Sequence, residues 1–141
     1  MSIGEGEPLI LAIDAGTSRV KAGLFLPGGR AVLLASRPLA PDRPCEGAFE
    51  IPMEEVWTSV AGSVRELVGA VPAAAERVTA IGVTGQGDGF WPLAAGGEPA
   101  GRAVLWNDTR SAQVFPEGRM PSTGERCANL FPGASPCILR W

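Results

Sequence analysis

One stretch decides the fold, namely LILAIDAGTSRVKAGLFL at residues 9–26. An almost unbroken apolar run from Leu9 ends at Asp14, and a second apolar run, Val20 to Leu26, begins after only five residues. Two apolar runs this close together predict a β-hairpin whose turn carries the polar groups. The first strand is apolar on both of its faces, which is typical of a central strand in a sheet.

The sequence that follows predicts a third strand and then a helix. Pro27-Gly28-Gly29 is a strong turn signal, and residues 31–35 predict a strand that completes an antiparallel three-stranded meander. Pro38 to Gly47 contains three prolines and predicts a surface loop. Apolar residues then recur at spacings of three and four from Val56 to Val71, which predicts an amphipathic helix with Trp57 in the core.

A further strand leads into a glycine-rich turn. Val78 to Thr84 predicts a buried strand, and it runs directly into Gly85-Gln86-Gly87-Asp88-Gly89, where the glycines allow a close approach of the backbone. Phe90 to Leu93 and Ala103 to Trp106 predict short strands around the turn at Gly96-Gly97. The order β-β-β-α-β places the chain in the α/β class.

Composition excludes several classes of function. The chain has 141 residues, 45% of them hydrophobic and 19% charged, with a net charge of -3, which is typical of one soluble globular domain. It contains no His and a single Lys, Lys21, which excludes a Ser-His-Asp hydrolase, His metal sites and the Lys of a P-loop. No basic stripe is present, so we expect no nucleic-acid partner.

The N-terminus and the cysteines indicate where in the cell the protein is located. The first seven residues lack a basic segment before the first apolar run, and that run is too short to span a bilayer, so we expect neither an export signal nor a membrane partner. The three cysteines, Cys45, Cys127 and Cys137, are odd in number and form no C-x-x-C pair, which indicates reduced thiols. These features predict a cytoplasmic protein.

The hairpin turn carries the residue types of a phosphate loop. Gly16 allows a tight turn, and the backbone amides and the hydroxyls of Thr17 and Ser18 can donate to phosphate oxygens. Asp14 can hold Mg²⁺ directly or through water, and Lys21 adds a positive charge nearby. On this short pattern alone, an ordinary turn in which Asp14 and Thr17 only satisfy backbone donors remains an open alternative.

Four stretches taken in order resemble the N-terminal part of the FGGY family of carbohydrate kinases. They are IDAGTS at 13–18 with KA at 21–22, EIPMEEVW at 50–57, IGVTGQ at 81–86 and LWNDTR at 105–110. The resemblance implies a ribonuclease-H-like fold of the actin-like ATPase superfamily. It is good over residues 8–113 and loose elsewhere. We therefore expect an N-terminal tail at 1–7, a partial kinase N-terminal domain at 8–113, and an irregular, shortened continuation at 114–141.

The resemblance implies ATP and Mg²⁺ as cofactors. Asp14 falls at the family's position for organising Mg²⁺. Gly16, Thr17, Ser18 and Lys21 fall where the phosphates of ATP are approached. The resemblance assigns no catalytic residue within this chain, because the family's catalytic Asp and most of its adenine pocket lie further along.

The resemblance also implies a sugar or polyol substrate. Gln86, Gly87 and Asp88 fall on the family's sugar loop, where one ionised carboxylate can accept hydrogen bonds from two neighbouring hydroxyls. Trp106 falls at the family's aromatic wall, and Asp108 is expected to be a second hydroxyl acceptor. A core Trp and a turn-forming Asp are the alternatives for these two residues.

The substrate loop favours one branch of the family. Members that act on xylulose carry Met-His after the Gln, whereas this chain has Gly-Asp-Gly followed by an aromatic pair at 87–91. That pattern is more similar to the erythritol-kinase-like branch. We therefore expect a short linear polyol or a related sugar.

The expected function is that of an N-terminal fragment of an ATP-dependent carbohydrate kinase, inactive alone. The alternative is a non-catalytic remnant, or a sugar- or phosphate-binding module that needs a separate partner segment. The chain stops within the apolar run CILRW at 137–141, which favours a fragment. A sheet without its later strands and helices predicts self-association through its uncovered face.

Overall fold

The computed structural model describes residues 6–110. Within that range the elements in order are β1 (Leu9–Ala15), β2 (Arg19–Phe25), β3 (Ala31–Pro38), β4 (Glu50–Ile51), α1 (Met53–Ala70), α2 (Ala74–Arg77), β5 (Val78–Gly85) and β6 (Ala103–Val104). Neither helix has the length and apolar character needed to cross a lipid bilayer. The expected continuation at 114–141, Cys127 and Cys137, and most of the expected tail at 1–7 lie outside the described residues.

The described residues fall into two compact units. The first comprises the chain up to Leu39 together with Glu55–Gly85, and the second comprises Ala40–Glu54 and the chain from Gln86 onward. Each unit has its own sheet. The first contains four strands in the order β3-β2-β1-β5, and the second contains the short pair β4-β6.

The sheet of the first unit confirms the predicted meander. β1 pairs antiparallel with β2, and β2 pairs antiparallel with β3. β1 also pairs with β5, and this second pairing is parallel. The strand that is apolar on both faces therefore lies in the interior of the sheet, as the sequence predicts.

The core lies between one face of this sheet and α1. Side chains on a strand alternate between its two faces, so Leu11 and Leu24, which are register partners, point to the same side. Leu67 of α1 is fully buried in the same cluster. Burial of one Leu side chain contributes about 1.5–3 kcal/mol. The other buried members are Leu9, Ala22, Leu26, Ala35, Val71 and Ala74.

A polar contact also holds α1 to the sheet. The guanidinium of Arg37, on β3, donates to the carbonyl oxygen of Gly62 at 3.2 Å and to the Glu66 carboxylate at 3.0 Å. A Cβ at position 62 would lie 2.9 Å from Nε of Arg37. The absence of a side chain at Gly62 therefore makes room for the arginine on the helix surface.

Two predictions of burial are wrong. Trp57 is 66% exposed, because the buried face of α1 contains Val56 and Leu67, and the next residue after Val56 points about 100° away around the helix. β5 is a strand as predicted, but it is an edge strand of the described sheet rather than a buried one. Its residues Ile81 and Val83 are 62% and 71% exposed.

The strands predicted after the glycine-rich turn are shorter than expected. Phe90 to Leu93 forms isolated bridges, Phe90 with Val104 and Leu93 with Pro99, and no continuous strand. The strand predicted at Ala103 to Trp106 is confined to β6, whose two residues pair antiparallel with β4. Among the residues of this second unit that the structure describes, the buried apolar ones are Ala48, Ile51, Ala103 and Leu105.

We expect Leu67→Ala to destabilise the chain strongly and Trp57→Ala to leave its stability nearly unchanged. The first substitution leaves a cavity in the core and should lower the free energy of unfolding by about 2–5 kcal/mol. The second removes a largely exposed side chain, for which a change within about 0.5 kcal/mol is expected. Urea unfolding followed by far-UV circular dichroism measures both. Equal losses of stability would contradict the placement of Trp57 on the exposed side of α1.

Candidate functional site

The first group of predicted residues surrounds the turn between β1 and β2, in the first unit. The antiparallel register places Asp14 directly opposite Lys21. The Lys21 Nζ lies 3.6 Å from the Asp14 Oδ2, and both side chains are accessible to solvent. Ser18 is exposed, and its carbonyl oxygen accepts a hydrogen bond of 2.9 Å from the amide of Leu39. A backbone hydrogen bond therefore connects this turn to Leu39, the residue that follows β3.

Each polar turn begins at the carboxyl end of a strand, and these two strand ends are neighbours in the sheet. β1 and β5 run parallel, and the register pairs Ala15 with Gly85, so the two strands end side by side. A Cβ on Gly85 would lie 3.0 Å from the carbonyl oxygen of Ala15, and a Cβ on Gly16 would lie 3.1 Å from the carbonyl oxygen of Arg19. Such contacts are tighter than most real ones, so glycine suits both positions.

The donor set at the first turn suits a metal that is shared with a phosphate ligand. Among residues 6–110, no three His, Cys, Asp or Glu side chains gather where they could hold a metal by themselves. Asp14 is a single accessible carboxylate. Mg²⁺ commonly binds to one or two carboxylates and completes its octahedral shell with water and substrate phosphates. Asp14 fits that pattern as the single carboxylate, and the Lys21 ammonium beside it could pair with a phosphate.

The second group lies in the second unit, where the loop that follows β5 is anchored to β6. Phe90 and Val104 exchange two backbone hydrogen bonds, of 2.8 and 2.9 Å. A Cβ on Gly89 would lie 2.7 Å from Nε1 of Trp91 and 3.0 Å from the carbonyl oxygen of Val104. The chain is thus packed closely around Gly89. Gln86, Gly87 and Asp88 directly precede this closely packed position.

Asp88 is exposed and has a left-handed backbone, with φ of 58°. Asp is one of the few residues other than Gly that tolerate this conformation. The two-way bonding between Phe90 and Val104 places the residues before Phe90 beside the residues after Val104. Trp106 is among the latter and is 43% exposed. The loop that carries Asp88 and the turn that carries Trp106 are therefore anchored to the same short strand.

Asp108 has a different environment from Asp88. It is only 2% exposed, and both carboxylate oxygens accept hydrogen bonds from the protein. Oδ1 accepts from the backbone amide and Nε of Arg110, at 3.0 and 3.1 Å. Oδ2 accepts from the amide of Phe49 at 2.9 Å and from Nε and Nη2 of Arg110 at 3.0 and 2.6 Å.

Asp108 is one end of a chain of alternating charges that the sequence did not reveal. Arg110 also contacts Glu50 of β4 at 2.6 Å, and Glu50 lies 3.2 Å from Nε of Arg102. Arg102 in turn contacts Asp42. The partners lie up to 60 residues apart, so spacing alone could not pair them. The only available signal was that the EIPMEEVW and LWNDTR stretches each carry charged residues.

The ion pair shifts the pKa values of both of its members. Burial alone would raise the pKa of Asp108. Hydrogen bonds from the Arg110 side chain and from the amides of Phe49 and Arg110 lower this pKa by more than burial raises it. The pKa of this carboxyl therefore lies below its usual value of 3.8. The side-chain hydrogen bond to Asp108 is the main reason why the pKa of Arg110 is raised, with Glu50 contributing in the same direction.

Comparison with known proteins gives one consistent result. A family model described as the FGGY family of carbohydrate kinases, N-terminal domain, matches residues 9–130. The chain is 38% identical to an erythritol kinase of Brucella abortus (strain 2308) over 106 residues, which are 75% of this chain and 20% of that protein. It is 35% identical to a glycerol kinase of Methylobacterium nodulans over 129 residues, which are 87% of this chain and 26% of that protein.

A solved structure agrees with these relatives. The crystal structure of a kinase from Brucella ovis, described as a xyloylose kinase, is similar to this chain with a TM-score of 0.72 and 32% identity. The similarity covers 77% of this chain and 23% of that one. The chain therefore spans about a fifth to a quarter of the length of the proteins that it matches.

We expect Asp108→Asn to remove part of the chain's sensitivity to acid. Because the pKa of Asp108 is lower in the folded than in the unfolded chain, its ionised form stabilises the fold above pH about 4, and this contribution is lost as the pH falls below that value. The variant should lose about 1–3 kcal/mol of unfolding free energy at neutral pH. Urea unfolding at a series of pH values measures both effects.

The control for this experiment is Asp88→Asn, which removes an exposed carboxylate in the same unit. It should leave the stability at neutral pH unchanged. If Asp108→Asn and the wild-type chain lost stability in parallel below pH about 4, the ion pair would not be the source of the acid sensitivity.

Proposed function

The chain belongs to the FGGY family of carbohydrate kinases, and on that basis we propose that it forms part of the active site of a polyol kinase. The complete enzyme would transfer the γ-phosphoryl group of ATP to a hydroxyl of a sugar or polyol. The observation that carries this proposal is the parallel pairing of β1 with β5 in the first unit, whose register sets Ala15 beside Gly85, the residue that precedes Gln86.

The Asp14 turn is proposed to serve the ATP side of the reaction. Asp14 would hold Mg²⁺ directly or through water, and a bound Mg²⁺ would neutralise charge on the phosphates. Lys21, register partner of Asp14, would bring its ammonium group to the same phosphates. Backbone amides at Gly16 and the hydroxyls of Thr17 and Ser18 are suited to donate to phosphate oxygens.

The second loop is proposed to bind the polyol. Asp88 is exposed, so its carboxylate can accept charge-assisted hydrogen bonds from two adjacent hydroxyls. Gln86 and Gly87 lie on the same loop, and the half-exposed ring of Trp106 offers an apolar surface to the carbon chain. The similarity to an erythritol kinase favours a short linear polyol as the substrate.

No residue of this chain is proposed as the catalytic base. The chain spans 20% of the erythritol kinase and 26% of the glycerol kinase, and we propose that it is inactive without further chain. We also propose a cytoplasmic location, where ATP is available. A second candidate function is that of a binding module that needs a partner segment, and it is favoured by the exposed apolar residues of the edge strand β5.

That exposed surface also supports the expectation of self-association. Ile81 and Val83 lie on β5, and Leu34 lies on β3, so both edge strands of the described sheet carry exposed apolar side chains. Exposed edges and apolar patches promote association between chains. Sedimentation of the purified chain at several concentrations tests this proposal.

The experiment that tests the function is a hybrid enzyme. Residues 9–113 of this chain would replace the matching part of the Brucella abortus erythritol kinase, and ATP-dependent phosphorylation of erythritol would be measured. Activity in the hybrid supports the proposal. A folded hybrid that binds neither ATP nor erythritol would contradict it.

In that hybrid we expect Asp14→Asn to lower kcat by about 10- to 100-fold, because a residue that orients Mg²⁺ has an effect of this size. The KM for erythritol should change little, since the metal acts on the phosphates. The matched control is Glu76→Gln, which alters an exposed carboxylate of α2 and should leave both constants unchanged. An unchanged kcat in Asp14→Asn would remove Asp14 from the metal site.

We expect Asp88→Asn to act on the polyol instead. Loss of a hydrogen bond to a charged group, about 1.5–3 kcal/mol, should raise the KM for erythritol by about 10- to 100-fold. The affinity for Mg²⁺-ATP should be unchanged. Glu98→Gln, an exposed carboxylate in the same unit, is the control. Identical kinetics of Asp88→Asn and wild type across a panel of polyols would contradict the assignment.

A further inference from the structure

We propose that Asp108 is a positioning residue for polyol binding, and that it acts by holding the turn that carries Trp106 rather than by contacting the substrate. This inference rests on the proposed function, because it concerns the polyol side of the same site. It replaces the role of hydroxyl acceptor that the family resemblance implies for Asp108.

The hydrogen-bonding capacity of Asp108 is already used. An ionised carboxylate has about four lone-pair sites. Four N–H groups occupy them here, namely the amide of Phe49 and the amide, Nε and Nη2 of Arg110. The carboxylate is also shielded from solvent. A polyol hydroxyl could reach it only by displacing bonds that the charged guanidinium makes.

The same residue closes the turn that contains Trp106. The amide of Asp108 donates to the carbonyl oxygen of Leu105 at 3.0 Å, so Trp106 and Asn107 are the two central residues of a turn. Leu105 is fully buried and Trp106 is not. The direction of the indole ring therefore depends on the backbone between Leu105 and Asp108.

This turn is attached along its length to residues 47–49. The amide of Leu105 donates to the carbonyl oxygen of Phe49 at 2.9 Å, and the amide of Thr109 donates to the carbonyl oxygen of Gly47 at 2.8 Å. The amide of Phe49 donates in the opposite direction, to the Asp108 carboxylate. Asp108 thus supplies a buried side-chain acceptor in this set of bonds, to which the Thr109 hydroxyl adds a bond of 3.4 Å to the carbonyl oxygen of Gly47.

Arg110 extends the attachment to β4. Its Nη2 lies 2.6 Å from both Asp108 Oδ2 and Glu50 Oε1, so one guanidinium joins the turn to a strand residue. A planar guanidinium that binds two carboxylates restricts the orientation of both. Loss of either Asp108 or Arg110 should therefore release the same turn, and the two losses should not be independent.

The first test is a double-mutant cycle on the full 141-residue chain, with erythritol as the probe and calorimetric titration as the measurement. We expect Asp108→Asn and Arg110→Met each to weaken erythritol binding about tenfold, and the double variant to bind no more weakly than the weaker single variant. Losses that multiply would mean that Asp108 contacts the polyol independently of Arg110, and they would overturn the proposal.

Arg102→Met is the matched control and should bind as wild type does, because Arg102 contacts Glu50 and Asp42 but not Asp108.

The second test does not depend on erythritol. Amide hydrogen exchange of the same chain should show about tenfold faster exchange at Phe49 and Thr109 in Asp108→Asn, with no change at Phe90 and Val104, whose bonds lie outside the turn. Unchanged exchange at Phe49 would overturn the proposal. If the wild-type chain did not bind erythritol, the proposed function of the chain would fail, while faster exchange at Phe49 would still support the role of Asp108 in the turn.

Discussion

The structure depends on the parallel pairing of β1 with β5. Parallel neighbours cannot be joined by a tight turn, so the chain must return across the sheet before the second strand begins. In this protein α1 lies in the connection, and its buried residue Leu67 packs in the same cluster as Leu11 and Leu24 of the sheet. One constraint therefore produces the core and also sets the ends of the two strands, Ala15 and Gly85, side by side.

Three aspartates of this chain differ in their ability to bind a ligand, because their exposure and hydrogen bonding differ. Asp14 faces Lys21 at a solvent-accessible strand end, and Asp88 is exposed on a tightly folded loop. Asp108 is buried with its oxygens saturated by Arg110 and by backbone amides. The first two can exchange water for a ligand at little cost, whereas the third would first have to lose bonds to a charged group. Residue type alone would have assigned all three to ligands.

Local patterns predicted the parts of the fold that depend on local structure. The two apolar runs around Gly16 predicted the β1-β2 hairpin, and apolar residues spaced by three and four predicted α1. Both predictions succeeded because a hairpin and a helix are determined by residues that are close together in the sequence. The exposure of Trp57 and of Val83 depends on which surfaces meet in three dimensions. The same is true of the contact between Glu50 and Arg110, which lie far apart in sequence. Motif order still identified both polar turns, although it could not show that Asp108 is buried.

The second unit shows why a charged network belongs beside the proposed polyol loop. Within residues 40–54 and 86–110 its buried apolar side chains are those of Ala48, Ile51, Ala103 and Leu105, and the β4-β6 sheet has two residues in each strand. Buried ion pairs add little net stability, because desolvation offsets most of their attraction, but they penalise every arrangement in which a charge loses its partner. The contacts of Arg110 with Asp108 and Glu50 therefore contribute mainly to the orientation of the turn that carries Trp106, and the proposed polyol site depends on that orientation.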